Sequence, residues 1–416
     1  MEADRTTFRA VFAVREFRAM WAAEALSQAG DQLARVALAV LVYGRTSSAA
    51  LAGLTYALTL APSFLGGVFL SGLADRFPRR TVMVVADVAR AVLIALVALP
   101  GMPFWVLCVL VGLVSFAQAP FKAAQLALLP DVLEGDKYVV GMGIRTITMQ
   151  TAQMLGFAGG GVLLTWLDPP AALVLDAVTF AASALFVWFG VHFRPAARKD
   201  GAPTPGAFAR SAFSGARLIW QDNGLRTLVL FNWLAALLIV YEGLAAPYTT
   251  EIGGGTASVG FILAADPLGS AIGAFLFTRF VPASRRPTLL GPLMVASCVP
   301  LLGCLVKPGV VPSIVLFAVA GALGTAVVIQ ATASLARGAP DHSRAQVLGL
   351  QQSGLATIQG LSPLLAGLVA DAVGTAHVVG LVGILGVLIA VPGAVAWRHA
   401  TAARPDVWLS DSGEEK

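Results

Sequence analysis

The sequence predicts an all-α membrane protein: twelve transmembrane helices in two pseudo-symmetric six-helix halves. Three observations predict it. First, 57% of the 416 residues are hydrophobic and only 12% are charged, about half the charged share of a soluble domain. Such a chain cannot cover itself with polar surface, so it needs a lipid solvent. Second, it contains twelve apolar runs, each long enough for the ~20 residues that a spanning helix requires. Third, short patterns recur at one fixed offset along the chain.

The runs lie at roughly 17–43, 49–73, 81–99, 103–128, 139–166, 170–191, 224–250, 256–280, 287–306, 311–335, 345–370 and 374–397. They are continuous rather than alternating, which argues against a closed barrel. The 43 glycines suit helices that approach closely in lipid. The start, "MEADRTTFRAVFAVREFRAM", is charged and has no apolar core before a cleavage site, so the first helix is expected to be retained. Cys108, Cys298 and Cys304 all lie in apolar runs and show neither a disulfide framework nor metal-ligand spacing.

Lys and Arg set the orientation. Of the 28, only Arg45 and Lys307 fall in loops on one side; Arg35, Arg90, Lys122 and Arg145 fall well inside runs, and the other 22 lie in the termini or on the terminus side. Both termini are therefore expected in the cytoplasm of a multi-pass cell-membrane protein. The basic, Pro/Gly/Ala-rich stretch 192–222 reads as a cytoplasmic linker with room for one amphipathic helix. It divides a first bundle, 1–191, from a second, 223–398, and a tail follows at 399–416.

The repeat supports two halves. At an offset of 206, Gly67, Phe69, Leu70, Arg79 and Arg80 match Gly273, Phe275, Leu276, Arg285 and Arg286. The same offset sets Gly143, Thr151, Gln153, Leu155 and Gly161 against Gly349, Thr357, Gln359, Leu361 and Gly367. Parallel six-helix halves around a midplane site are a transporter plan.

Between the second and third runs stands "SGLADRFPRR" (71–80). It resembles the G-x-L-A-D-R-x-G-R-R signature of the major facilitator superfamily, with Leu73, Ala74, Asp75, Arg76, Arg79 and Arg80 in place. Asp87, Arg90 and Ala91, then "ALLPDV" (127–132) and "LDAVTF" (175–180), resemble the macrolide-efflux and enterobactin-exporter branch of drug/proton antiporters. Antiporters of the superfamily carry G-P-x-x-G-G in the fifth helix. Here "GFAGGG" (156–161) keeps Gly156, Gly160 and Gly161 but holds Phe157 at the proline place. The resemblance implies the major facilitator fold and a rocking-bundle antiporter, active in efflux or multidrug resistance. It implies that the loop group Asp75, Arg76, Arg79 and Arg80, with Asp87 and Arg90, forms a cytoplasmic gate. There Asp75 would meet the N-terminal end of helix 11, near Arg344. The plainer reading of the arginines is positive-inside topology.

Glu24, Gln28, Asp31 and Arg35 are spaced by 4, 3 and 4 and share one helical face. A charge at membrane depth is costly and faces a cavity or a partner. Asp31 and Glu24 are thus candidate proton carriers, with a local Asp31–Arg35 pair as the alternative. Glu242 and Asp266 are the candidates in the second half. Tyr56, Gln150, Gln153, Asn232, Trp233, Tyr241 and Gln330, with Gln28 and Arg35, are candidate cavity residues. Asp87 and Arg90 can pair at i, i+3. Lys122 and Arg145 are expected to snorkel, and Asp176 is expected to be structural.

No G-K-[ST] loop and no H-E-x-x-H is present, and the four histidines are scattered. The expected role is therefore not enzymatic, with no cofactor, metal or nucleic acid. The expected partners are a small-molecule substrate, protons and membrane lipids, and the expected state is a monomer. The reading is a proton-coupled exporter of small hydrophobic or amphipathic compounds, often cationic ones. A lysophospholipid flippase, a proton-coupled importer and a non-transporting membrane receptor are the alternatives.

Overall fold

The computed structural model describes residues 8–70, 73–195, 217–340 and 343–408, and among these it is helical without strands. A short helix, Phe8–Phe12, precedes the first long one. Helix α1 is Arg15–Thr46, and α2 runs in two pieces, Ala49–Leu58 and Ala61–Leu70. Then come α3 Arg79–Val97, α4 Phe104–Val132, α5 Asp136–Leu163 and α6 Pro169–Gly190. Helix α7 is Asn223–Leu238 and continues through a 3-10 stretch, Ile239–Leu244, into Ala245–Glu251. Helices α8 Thr256–Phe280, α9 Arg286–Leu302, α10 Val310–Gly338, α11 Arg344–Val373 and α12 Thr375–Ala403 complete the set. The twelve rods fall on the twelve apolar runs. The helix allowed for in the 192–222 linker falls mostly on 196–216, outside the described residues.

Among the described residues, nine of the twelve are long and apolar enough to cross a membrane by length and composition. The other three are α1, α3 and α5. Each is too polar, because α1 carries Glu24, Asp31 and Arg35, α3 carries Asp87 and Arg90, and α5 carries Arg145 with Gln150 and Gln153. Ionisable groups at membrane depth are tolerated where they face protein and one another. These three helices supply most of the charged site described below.

Local chemistry sets the helix ends. The Asp168 carboxylate accepts from the Ala171 N–H at 3.2 Å, and Pro169 and Pro170 fill the first turn of α6, where no N–H partner is needed. Asp222 caps α7 by accepting from the Gly224 and Leu225 N–H groups at 2.8 and 3.1 Å. The joint between α11 and α12 is Gly374 at φ +92°, a conformation that favours glycine.

The chain forms two compact units. One draws its residues from 1–45, 58–202 and 259–264, the other from 46–57, 203–258 and 265–416. The first has an apolar core of Phe17, Met20, Met83, Phe121, Leu128 and Val187, shared by α1, α3, α4 and α6. Its piece 259–264 joins through Gly260, where an added Cβ would lie 2.5 Å from Gly161 Cα. In the second unit, Asp371 of α11 caps the start of α2. It accepts from Ser48 Oγ at 2.7 Å, the Ala49 N–H at 2.6 Å and the Ala50 N–H at 3.3 Å. Gly367 sits against Ala49 and Ala50 so closely that a Cβ would come within 2.5 Å of the Ala49 carbonyl oxygen. These contacts tie 46–57 to the second unit.

Candidate functional site

In the first unit, one guanidinium collects three helices. Arg90 of α3 is 2% exposed. It donates to both oxygens of Asp31 on α1, at 2.9 Å each, and to Asp87 one turn back at 3.3 Å. It also donates to Ser27 Oγ at 3.4 Å and lies 3.9 Å over the Phe180 ring of α6. Asp87, fully buried, accepts from Ser183 Oγ at 2.5 Å. Asp176 of α6, 1% exposed, accepts from Thr179 Oγ1 at 3.1 Å and acts electrostatically on Arg90. Three carboxylates thus surround one arginine. In water-poor surroundings such charge-assisted bonds are strong, and losing one partner is costly.

A second pair lies two helical turns away along α1. Arg145 of α5 donates to both oxygens of Glu24, at 2.8 and 2.7 Å, and to Gln125 Oε1 at 3.4 Å. The glycines of α5 allow this approach. A Cβ on Gly156 would lie 2.9 Å from the Ala29 carbonyl, and one on Gly160 3.2 Å from Leu33 Cα. Gly156 and Gly160 are therefore the seam on which α5 meets α1, while Gly161 meets Gly260.

A cavity of two lobes opens on this network. One lobe holds about 400 Å³ of empty space and is lined by Asp31, Arg35, Thr59, Arg90, Gln118 and Asp176, with apolar walls from Leu38, Ile94 and Val111. The other holds about 260 Å³ and is lined by Glu24, Gln28, Asp31, Gln118, Lys122 and Gln125, with Phe121 and Met149. Gln118 Nε2 donates to Asp31 at 3.2 Å, where the lobes meet. The lining thus combines charges, amides and apolar walls, as a pocket for amphipathic ligands does.

The face Glu24–Gln28–Asp31–Arg35 lines this cavity as its spacing predicts. The structure departs from several expectations. Asp31 is held by Arg90, 59 residues away, so a local Asp31–Arg35 pair does not describe it; Arg35 donates to Gln32 Oε1 at 3.3 Å. Arg145 and Lys122 do not snorkel: Arg145 turns to Glu24, and Lys122 lines the second lobe. The i, i+3 pair of Asp87 and Arg90 forms as expected, at 3.3 Å, and lies about 12 Å and more into α3, at 1.5 Å per residue, within the charge network. Asp176 lines the cavity. Gln150 and Gln153 line neither lobe.

Of the loop group, Arg79 donates to the Ala127 carbonyl at 2.8 Å and to Asp131 at 2.5 Å, and the Arg80 guanidinium lies 4.6 Å over the Trp188 ring. These contacts tie the loop to α4 and α6. Arg76 is exposed. Asp75 falls in a helical turn, Leu73–Arg76, and its side chain is outside the described residues.

The second unit holds a smaller acid cluster. The Tyr56 hydroxyl donates to Glu242 in the 3-10 stretch of α7. Asp266 of α8 accepts from Ser270 Oγ at 3.4 Å and feels the charge of Glu242. It forms no ion pair among the described residues. Tyr241 stacks on Phe317 at 3.8 Å. The remaining polar candidates bond within the bundle: Asn232 Nδ2 to the Leu228 carbonyl, Trp233 Nε1 to the Gln351 carbonyl, and Gln330 Nε2 to Ser334 Oγ. Their polar groups are taken up by packing.

Sequence reasoning missed Lys122, Gln118, Gln125 and Ser27 as cavity residues. One signal was available for the first three: they fall at i, i+4 and i+7 on α4 and share a face.

An all-helical chain with this much apolar length and a polar cavity inside its bundle is a multi-pass membrane transporter. The family model described as Major Facilitator Superfamily matches residues 20–245 and 242–415, and the chain belongs to that superfamily. It is 26% identical over 373 residues to the MFS-type transporter YjbB of Bacillus subtilis (strain 168), covering 84% of this chain and 88% of that one. It is 29% identical over 161 residues to the lysophospholipid transporter LplT of Yersinia pestis (strain Pestoides F), covering 38% and 37%. Two solved structures share its fold. An inward-facing, unoccupied bacterial homolog of the human lysosomal transporter Spinster aligns at TM-score 0.71 and 15% identity, over 98% of this chain and 100% of the other. A peptide transporter POT in complex with sulfate aligns at 0.72 and 14%, over 97% and 96%.

Proposed function

We propose that the chain is a proton-coupled exporter of small amphipathic compounds, working by alternating access with both termini in the cytoplasm. The observation that carries the reading is the Asp31–Arg90 network opening on a polar-and-apolar cavity in the first unit. The basic residues concentrated on one side support the orientation. The resemblance to the macrolide-efflux and enterobactin-exporter branch supports the direction.

Asp266 and Glu242 are the coupling residues in this reading. Asp31 and Glu24 each hold an arginine and would have to release it to accept a proton. Asp266 faces a second acid and no cation among the described residues, so a proton can come and go without breaking an ion pair. The loop group around Asp75 acts as the cytoplasmic gate, with Arg79 and Arg80 fixing the loop on its own bundle. A second reading, lysophospholipid movement, is favoured by the partial likeness to LplT.

A susceptibility panel of drugs and metabolites in an efflux-deficient host tests the reading. Expression should raise tolerance to a subset of amphipathic compounds, and a proton uncoupler should abolish the gain. Tolerance that survives the uncoupler rejects proton coupling. Uptake of labelled lysolipid without any gain in tolerance selects the second reading.

A further inference from the structure

The second lobe of the cavity leaves two hydrogen-bonding groups over. Lys122 on α4 lines it and forms no hydrogen bond or ion pair among the described residues. The Gln28 amide on α1 lines it likewise, also without a side-chain partner there. The charges that face Lys122 are Asp31, Arg90, Arg35 and Glu24. Both acids are already engaged: Glu24 accepts two bonds from Arg145, and Asp31 accepts two from Arg90 and one from Gln118. Gln125 offers its oxygen to Arg145.

An ammonium at this depth without an acceptor of its own is costly. The acceptor it lacks is one that a ligand can bring. An anionic oxygen fits best, because charge-assisted bonds are about twice as strong as neutral ones. Beside it, Phe121 and Met149, then Leu38 and Ile94 in the adjoining lobe, offer apolar wall. We propose that Lys122 and Gln28 hold the anionic group of an amphipathic substrate, a carboxylate or a phosphodiester, with its apolar part along the adjoining lobe. This rests on the transport reading of the same cavity and reverses the expected preference for cations.

The test is direct binding to the purified full chain in phosphatidylcholine nanodiscs, with empty nanodiscs subtracted. Three probes share a twelve-carbon chain: laurate, lauroyl lysophosphatidylglycerol and dodecyltrimethylammonium. At least one anion should bind about tenfold tighter than the cation, or about 1.4 kcal/mol. Lys122→Gln should remove that preference and Lys122→Arg should keep it. Gln28→Ala should weaken the anion about tenfold, the lower end of the scale for one hydrogen bond to a charged group. Tighter laurate identifies a carboxylate, and tighter lysolipid a phosphodiester. Equal or tighter binding of the cation by the wild type overturns the proposal, as does an unchanged preference in Lys122→Gln. If that variant does not fold, an unchanged anion affinity in Gln28→Ala overturns it instead. Anion binding at this site without any transport in proteoliposomes would reject the transport reading and leave the subsite standing.

Discussion

Replacing Arg90 with glutamine tests whether the first unit is built around one cation. Arg90 makes two bonds to Asp31 at 2.9 Å, one to Asp87 at 3.3 Å and one to Ser27 at 3.4 Å, with Phe180 beneath it at 3.9 Å. The glutamine removes the charge and leaves Asp31, Asp87 and Asp176 facing one another. Breaking a buried pair by removing one partner costs about 3–5 kcal/mol. Set against a total stability of about 5–15 kcal/mol, that is a large share. Arg90→Lys keeps the charge but cannot fork onto Asp31 while stacking on Phe180, so it should cost about 1–3 kcal/mol, the scale of one charge-assisted bond. Adding Asp31→Asn to Arg90→Gln removes one stranded carboxylate and should recover about 1–3 kcal/mol. Equilibrium unfolding of the four proteins in one detergent measures all of this. A cost below about 1 kcal/mol for Arg90→Gln, outside the range for a buried pair, refutes the account; so does a double variant no more stable than the single one.

Three further outcomes follow from packing and from one carboxylate at the start of α1. Gly156→Ala should cost about 1–3 kcal/mol by overpacking α5 on α1, whereas Gly159→Ala, with nothing within 4 Å of its Cβ position, should be neutral or stabilising; melting temperatures of the pair separate the two. Trp408 is 2% exposed, lies 5.4 Å from Trp397 and abuts Gly224 and Gly338, so Trp408→Ala should cost about 3–5 kcal/mol in the same unfolding assay. Glu16, in the first turn of α1, is pushed up by burial, but its bonds from Arg194 and the His192 N–H outweigh this and hold its carboxyl below its ordinary value. Its lowered value means its stabilisation is complete above the ordinary value near 4.5 and fades as pH falls through the lowered one. The gap between the melting curves of wild type and Glu16→Gln should therefore narrow as pH falls below 4.5; a gap that does not narrow on acidification contradicts this.

The spans were legible because lipid demands about 20 apolar residues each, and composition carries that demand. The face of α1 was legible because 4, 3, 4 spacing fixes it. The partners were not. Asp31 and Arg90 are 59 residues apart, and Glu24 and Arg145 are 121 apart, so only the folded chain shows which cation meets which acid. Snorkelling was the default for Arg145 and Lys122 because both fall near an end of their apolar runs, 139–166 and 103–128. The helices extend further, to Asp136 and Val132, and the acids of α1, unseen from α4 and α5 sequence, draw the side chains inward. The 3-10 stretch in α7 was hidden inside an unbroken apolar run. Its Gly243 is pressed against Pro363 and Tyr56, a tertiary contact with no local signal.

The central claim is that substrate leaves in exchange for protons. Proteoliposomes loaded with a pH-sensitive dye, with no imposed gradient, test it most directly once the panel has named a substrate. Adding that substrate should move protons across the wild-type membrane in the direction opposite to the substrate. Asp266→Asn should still bind the substrate but move no protons. Substrate flux in the wild type without any proton movement contradicts the account.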